Sequence, residues 1–428
     1  MSENTQTKSP DNAASFLRRN FFGGLWHGAF LAFGMALTQP TTVISSFVAD
    51  LTGSAIWVGG LATVLTVAGV IPQPFVARWI EPKQKKMPYL MLAIYLRVIS
   101  WAILAWLIIL IGDTNPDLLA WALVVLLTVF YAGGGLGNIP YTDIIGKIIP
   151  ADRRGSFFGS RQVLAGPLAV GAALLARRIL ANVTYPNNYA LLFGLAAAGL
   201  AIASIGFWII REPVQNSKET RIPSWREYFS HVVSASKRLK ALVVVQLLTG
   251  FSLMALPFYV VYAQKDLGAP TASTGWYLLA QVLGGIAGTL VWARLVDRTG
   301  TRTMITWCAI VSTLTPILAI VLGAISWEAL LIVFFLAGAA FNGRQVGFNS
   351  ALLELAPDAE RPTFAGVNAF LVLPIAFLPL LAGVLLGWWS YQMLFLMVAF
   401  FVGIGALMTR RLPVHPRSEI QAAVDVEE

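Results

Sequence analysis

Long apolar runs dominate the pattern of hydrophobic and polar positions along the chain. A helix needs about 20 mainly apolar residues to cross a bilayer, because the hydrocarbon core is about 30 Å thick. Lipid offers no partner to backbone N–H and C=O groups, so spanning runs of this kind must be helical. The pattern predicts twelve spanning helices, at residues 22–48, 56–78, 88–111, 117–146, 158–177, 189–210, 238–262, 273–295, 303–324, 328–354, 364–386 and 388–409.

The composition agrees with this pattern. Apolar residues make up 57% and charged residues 12% of the 428 residues, whereas about 25% of an ordinary soluble domain is charged. The mean hydropathy is +0.71. One or two large soluble domains could not hide this much apolar surface, so the predicted class is an all-α integral membrane protein.

Positive charges alternate along the chain. Most Lys and Arg residues lie in every second connection and in both tails, whereas the other connections hold only Arg177, Arg178 and Lys265. An excess of Lys and Arg marks the cytoplasmic side of a membrane. The pattern therefore predicts cytoplasmic termini and a multi-pass protein of the cell (inner or plasma) membrane. It also explains the net charge of +9 without a nucleic-acid partner.

Few residues offer catalytic or metal-binding chemistry. Cys308 is the single cysteine, and the three histidines, at 27, 231 and 415, are scattered. No spacing resembles a metal site, a Ser/His/Asp set or a phosphate-binding loop. We expect no cofactor, no metal and no enzymatic activity.

Two stretches of the chain repeat one another. "PADRRGSFFGSRQ" (150–162) and "PDAERPTFAGVNA" (357–369) share Pro, Arg, Phe and Gly at an offset of 207 residues, and earlier matches in the two halves share an offset of 216. Six helices thus occur twice in the same orientation. The predicted organisation is an N-terminal tail 1–21, a six-helix bundle 22–210, a linker 211–237, a second six-helix bundle 238–410 and a C-terminal tail 411–428.

Parallel repeats of six spans, together with one local motif, resemble the major facilitator superfamily. The motif Gly-x-Leu-x-Asp-Arg-x-Gly-Arg-Arg of that family is similar to "ARLVDRTGTR" at 293–302, although Ala293 and Thr301 depart from it. The first-half copy, "ARWIEPKQKK", is degraded. The resemblance implies two bundles around a central path and a charge network that closes the cytoplasmic side. The candidate gate residues are Arg78, Glu81, Arg294, Asp297, Arg298 and Arg302. The alternative is solvated basic loops that only set topology.

The same resemblance implies that helices one, four, seven and ten line a solute cavity. At 100° per residue, Asn138 and Thr142 share one face of helix four, with Tyr141 close by. Their counterparts 207 residues later are Gln345 and Asn349. Polar groups in lipid are costly unless they meet water or a partner, so these faces predict a cavity. Hydrogen bonds that join neighbouring helices are the alternative.

Four further residues complete the predicted solute-binding set. Gln39 lies in helix one, Gln246 in helix seven, and Asn342 on the polar face of helix ten. Arg344 points away from that face if helix ten is regular, and then contacts a neighbouring helix. A break near Gly343 would instead turn Arg344 into the cavity and favour an anion.

Two carboxyl groups are candidates for carrying a coupling proton. Asp143 and Glu354 are the acids nearest the inner boundary within the cavity helices. For Asp143 the alternatives are an i,i+4 ion pair with Lys147 or a pair with Arg97, which is embedded in helix three. Glu354 has the alternative of a boundary charge.

The predicted function is secondary active transport of a small solute by alternating access, driven by a proton or sodium gradient. A small polar or sugar-like solute is favoured. A drug–proton antiporter is the alternative, although helix four lacks the arginine that such members of the superfamily usually carry. A non-transporting receptor or assembly factor on the same fold is the alternative of another class. The expected partners are the solute and the lipid bilayer, and the expected working unit is a monomer.

Overall fold

The computed structural model describes residues 10–80, 83–213, 239–356 and 361–412, and the regular structure within these ranges is helical. In chain order the α-helices are α1 (Pro10–Leu37), α2 (Ser45–Thr52), α3 (Ala55–Val70), α4 (Pro72–Ile80), α5 (Met87–Ile111), α6 (Pro116–Ile148), α7 (Arg154–Asn182), α8 (Asn187–Ile209), α9 (239–250), α10 (Ser252–Lys265), α11 (Ser273–Thr299), α12 (Thr301–Gly323), α13 (Leu330–Leu355), α14 (Arg361–Leu371), α15 (Leu378–Leu385) and α16 (Tyr391–Met408).

The described residues contain 11 helical segments that are long and apolar enough to cross a membrane. One further apolar helix, α3, is shorter. The predicted span 56–78 corresponds to α3 followed by α4, with Ile71 between them. The all-helical membrane architecture predicted from the sequence is therefore confirmed, while the count of twelve spans stays a prediction.

Prolines interrupt several of the predicted spans. The span 364–386 is divided by a short 3-10 segment, Leu373–Phe377, which contains Pro374 and precedes Pro379. The first span is divided by a π-helical turn, Pro40–Ile44. Proline has no N–H to donate and its ring crowds the preceding turn, so helices bend or change pitch at these points.

Two compact units make up the chain. The first contains residues 1–38 and 68–222, and within it α1 packs against α7 and α8, while α5 packs against α6 and α8. Trp101, fully buried, anchors this core against the rings of Phe130 and Phe193. The boundaries fall inside predicted spans, at Thr38 and Val67, and the predicted repeat-based domains stay a prediction.

The second unit contains residues 39–67 and 223–428. Its most extensive helix pair is α11 with α13. The two backbones approach closely because a Cβ at Gly284 would overlap the carbonyl group of Phe335, and one at Gly338 would overlap that of Gln281. This contact fixes the rotation of α13 and so decides which of its side chains face the interior of the unit.

Candidate functional site

The polar face of α6, which corresponds to the predicted helix four, is exposed in the first unit. Asn138 and Thr142 are exposed, and the Thr142 hydroxyl donates to the Asn138 carbonyl. Apolar side chains nearer the start of the same helix, such as Trp121 and Val125, are also exposed. Those apolar groups suit lipid, whereas an exposed amide within a span needs water or a solute. Asn138 and Thr142 are therefore better suited to contact with water or a solute than with lipid.

Tyr141 lies beside this face and is held by Arg161 of α7. The Arg161 guanidinium donates to the Tyr141 hydroxyl across 2.6 Å and lies 5.5 Å from its ring. Gly28 of α1 makes room for Arg161, because a Cβ at that position would overlap its side chain. Buried His27 packs near Tyr141, with its ring Nδ1 3.3 Å from the Ala203 carbonyl oxygen. Arg161 is not among the solute-binding residues predicted from the sequence.

The corresponding face of α13, which is the predicted helix ten, is exposed in the second unit. Gln345 and Asn349 are both exposed on this unbroken helix. Asn342 is placed differently. It donates to the Gly285 carbonyl oxygen (2.9 Å) and to the Thr289 hydroxyl (3.1 Å), and so ties α13 to α11.

Gln246 is buried and paired with Asn368 of α14. The two side-chain amides bond reciprocally, at 3.0 Å and 3.2 Å. Asn368 lies 207 residues after Arg161, so the repeat itself could have pointed to it. Gln39 contributes through its backbone, since its carbonyl oxygen accepts from the N–H groups of Thr42 and Ile44 in the π-helical turn.

Arg344 lies on another side of α13, where α9 and α10 meet. One guanidinium nitrogen donates to the Thr249 hydroxyl across 2.5 Å, and the other donates to the Gln246 carbonyl oxygen across 3.4 Å. The guanidinium carbon is 5.0 Å from the centre of the Phe348 ring. Because α13 is a single helix, Arg344 contacts a neighbouring helix, which is the arrangement that a regular helix predicts.

Two small cavities inside the second unit both touch Arg344. The first is lined by Thr249, Ile305, Cys308, Ala309, Ser312, Gly343, Arg344 and Phe348. The second is lined by Ser252, Leu253, Leu256, Tyr259, Ser312, Thr315, Ala337, Ala340, Phe341 and Arg344. Each has a volume of about 10 Å³, which is close to what one water molecule occupies. Neither lining contains a carboxyl group.

A charge cluster made of Lys86, Asp143, Lys147 and Glu212 lies at the end of α6. Asp143 pairs with Lys86 (3.0 Å) and Lys147 (2.6 Å), and Lys147 is 3.4 Å from Glu212. The Glu212 carboxylate also accepts from the backbone N–H groups of Met87, the first residue of α5, and of Lys86, which precedes it. Asp143 is thus paired with lysines, rather than with Arg97.

The remaining predicted residues lie on α4, α11, α12 and α13. Glu354 accepts a hydrogen bond from the Thr301 hydroxyl. Arg294, Asp297 and Arg298 are exposed on α11, and Arg302 is half-buried at the start of α12. Arg78 lies in α4, where the structure describes the backbone, and Glu81 lies outside the described residues.

The Gln39–Val67 segment packs inside the second unit through several polar contacts. The Gln264 side chain donates to the hydroxyls of Ser46 (2.7 Å) and Thr274 (3.1 Å), and the Gln281 side chain donates to the Thr41 hydroxyl (2.8 Å). Lys265 donates to the Gly53 carbonyl oxygen. These contacts join helices that are far apart in sequence.

Glycines bring the backbone of this segment against the C-terminal helices. A Cβ at Gly59 would overlap the carbonyl oxygen of Pro379, and one at Gly383 would overlap that of Ala55. The Thr63 hydroxyl also accepts from the Leu380 N–H across 3.2 Å. Gly59 lies 216 residues before Gly275 and is one of the matches at that offset, but the repeat does not predict this contact.

Comparison with known proteins supports the resemblance found in the sequence. The family model of the Major Facilitator Superfamily matches residues 242–427. Uncharacterized proteins of Mycobacterium tuberculosis and Mycobacterium bovis are 24% identical over 197 residues, which is 44% of this chain and 38% of theirs. The chain thus aligns with well under half of the length of these relatives.

Solved structures share the fold at low identity. A mutant form of the nucleoside transporter NupG is 13% identical, with a TM-score of 0.71 over 92% of this chain and 99% of that one. An inward-facing structure of a bacterial homologue of the iron transporter ferroportin is 13% identical, with a TM-score of 0.65 over 93% of this chain and 98% of that one. The xylose transporter XylE from E. coli is 13% identical, with a TM-score of 0.64 over 94% of this chain and 100% of that one. Together with the family match, these results confirm the resemblance to the major facilitator superfamily.

Proposed function

We propose that the protein is a secondary active transporter that moves a small solute across the cell membrane by alternating access. A proton or sodium gradient would drive the cycle. The transporter fold carries the general assignment, and a small polar or sugar-like solute is the favoured cargo. The neighbours are a nucleoside transporter, a homologue of an iron transporter and a xylose transporter, so the fold by itself does not specify a substrate.

The two exposed polar faces are the observation that carries this proposal. Asn138 and Thr142 in one repeat, and Gln345 and Asn349 in the other, occupy corresponding positions and are exposed within apolar helices. An exposed amide within a span is costly against lipid and favourable against water or a hydroxyl-rich solute. Retention of such a pair in both repeats favours a wet transport path over a scaffold with an apolar interior.

The charge cluster supports a role for Asp143 in coupling. Its carboxylate holds Lys86 and Lys147 together at one end of the first unit. Protonation of Asp143 would remove both ion pairs, which is one way in which a proton could bias a conformational equilibrium. Glu354, bonded to Thr301, is the second candidate. We propose that both groups lie on the cytoplasmic side, as do both termini. We also propose that the chain has twelve spans and works as a monomer.

A ligand screen tests the transport proposal. The purified protein would be heated with members of a broad solute library, because a ligand that binds the folded state raises the unfolding midpoint. Each hit would be repeated with Asn138→Ala and Gln345→Ala, and then measured as uptake into proteoliposomes. Asn182→Ala is the matched control, since Asn182 is an exposed amide at the end of α7.

The outcomes separate the candidate functions. We expect a polar solute whose midpoint shift and uptake are lost in both variants but retained in Asn182→Ala. Retention in both variants would place the solute site away from these faces. Uptake of amphipathic compounds against a proton gradient would favour the drug antiporter. Binding without uptake would favour the receptor or assembly factor.

A further inference from the structure

Arg344 has more hydrogen-bond donors than the described residues accept. A guanidinium carries five N–H groups, and the described residues supply two acceptors, the Thr249 hydroxyl and the Gln246 carbonyl oxygen. The ion pairs found among these residues do not include Arg344. Arg344 is half-buried, and a guanidinium forms its strongest hydrogen bonds with a negatively charged acceptor. Its remaining donors are therefore suited to an anion.

Tyr259 brings a second free donor to the same place. Its side chain is 3% exposed and lines the second cavity together with Arg344. Its ring packs against Phe334 and Phe395, and its hydroxyl has no hydrogen-bond partner among the described residues. Because Tyr259 lines the cavity and its hydroxyl is not bonded to a described residue, this hydroxyl is free to donate to a bound group.

The other hydroxyls of the two cavities already donate elsewhere. Ser252 donates to the Thr249 carbonyl oxygen, Ser312 to that of Cys308, and Thr315 to that of Val311. Their oxygen atoms can still accept, but a neutral hydroxyl is a weaker partner for a guanidinium than an anion is. Arg344 and Tyr259 are therefore the donors that remain available in these cavities, whose linings contain no carboxylate.

We propose that Arg344 and Tyr259 form a binding site for a small anionic group. Arg344 and Ser312 line both cavities, so an occupant beside Arg344 that draws on both spaces is still small, a halide ion or one carboxylate group. A free halide would fill the site in the resting protein. A carboxylate would belong to the transported solute, and only this second source rests on the proposed transport function.

Anion-dependent stability tests the site without any transport measurement. The full-length protein in detergent would be heated while sodium chloride, or separately sodium formate, replaces a bulky organic sulfonate salt at constant ionic strength. We expect the unfolding midpoint to rise with chloride, formate or both. In Tyr259→Phe the apparent affinity should fall about tenfold, since one hydrogen bond to a charged group is lost.

Two matched variants act as controls. Tyr277 is another buried tyrosine of the second unit, but its hydroxyl donates to the Trp327 carbonyl oxygen. Tyr277→Phe should therefore keep the full anion dependence, as should Arg97→Lys in the first unit. Arg344→Lys should lose most of it, and if this variant does not fold, Tyr259→Phe decides alone.

The pattern of responses identifies the source of the anion. A response to chloride but not to formate indicates a free halide, whereas a response to formate indicates the carboxylate of a solute. The proposal is overturned if neither anion stabilises the wild-type protein, or if Tyr259→Phe and Tyr277→Phe respond alike. Because uptake is not measured, either of these results would leave the transport proposal standing.

Discussion

Each unit of the protein holds an arginine inside a membrane span, and the two are housed differently. Arg97 in the first unit lies with its guanidinium carbon 4.5 Å from the Phe130 ring and one nitrogen 3.4 Å from the Met35 sulfur. Arg344 in the second unit is bonded to oxygen atoms and borders two cavities. The surroundings of an embedded arginine, rather than its charge alone, therefore decide whether it can bind a ligand.

The face of an aromatic ring offsets positive charge without occupying a specific donor. Gly133 gives the Arg97 side chain space against α6, since a Cβ there would crowd it, and the Arg97 Nε atom is buried with no hydrogen-bond partner. Arg97 therefore links α5 to α6 as a packing element. Arg344, by contrast, keeps its donors beside empty space of molecular size.

The largest expected difference between the two arginines concerns uptake. Arg344→Met should reduce proteoliposome uptake of a carboxylate solute about 100-fold, because hydrogen bonds between charged partners are worth about 3 kcal/mol. Arg97→Met should change uptake by less than about threefold on the same scale. Initial uptake rates at equal protein density measure both. Equal losses in the two variants would remove the functional distinction.

Supplying an internal carboxylate should replace the external anion. Ser312 lines both cavities beside Arg344, so Ser312→Asp should raise the free energy of unfolding by about 2 kcal/mol in anion-free buffer and abolish the anion dependence. Unfolding in mixed detergent micelles measures this. Ser204→Asp is the control, because buried Ser204 donates to a backbone carbonyl of its own helix, and there the new charge should destabilise the protein.

Removal of the charge at Arg97 should make the first unit slightly more stable. Arg97→Met takes away a buried unsatisfied nitrogen, which should raise the free energy of unfolding by about 1 kcal/mol. The same micelle measurement applies, with Arg97→Lys as a variant that keeps the charge. A decrease of similar size would show that Arg97 has a favourable partner.

The smallest expected effect concerns the ring beside Arg344. The coupling between Phe348 and Arg344 in a double-mutant cycle should be about 0.5 kcal/mol, since the ring lies 5.0 Å from the guanidinium carbon and shares the cation with two oxygen acceptors. Phe348→Leu and Arg344→Met, alone and combined, complete the cycle. Phe335→Leu, an exposed ring of the same helix that lines neither cavity, should show no coupling with Arg344→Met.

The sequence predicts most helices because lipid imposes one length and one secondary structure on apolar runs. It fails where tertiary packing decides. Pro167 and Pro374 occupy equivalent repeat positions, yet α7 continues through Pro167 while the chain around Pro374 becomes a 3-10 segment. The additional Pro379 removes a second backbone donor nearby, and the effect of two prolines on one helix is not visible in the repeat.

In the candidate site, too, the sequence predicts some features, whereas tertiary packing determines others. A helical wheel places Asn342 and Asn349 on the same face, but it does not show which neighbouring helix covers each position along the axis. In the structure α11 covers α13 at Asn342, through Gly285, and leaves Asn349 exposed. The Gln246–Asn368 pair and the free Tyr259 hydroxyl depend on contacts between distant helices, which one sequence without its fold cannot supply.

The packing of the Gln39–Val67 segment has a consequence for how the protein is made. Its partners in α10, α11 and α15 follow it by about 200 residues or more, and ribosomes add roughly 5–20 residues per second. The segment therefore waits on the order of 10–40 s after synthesis before the first of these helices exists. During that interval its glycines and hydroxyls must be covered temporarily by lipid, a membrane chaperone or the insertion machinery.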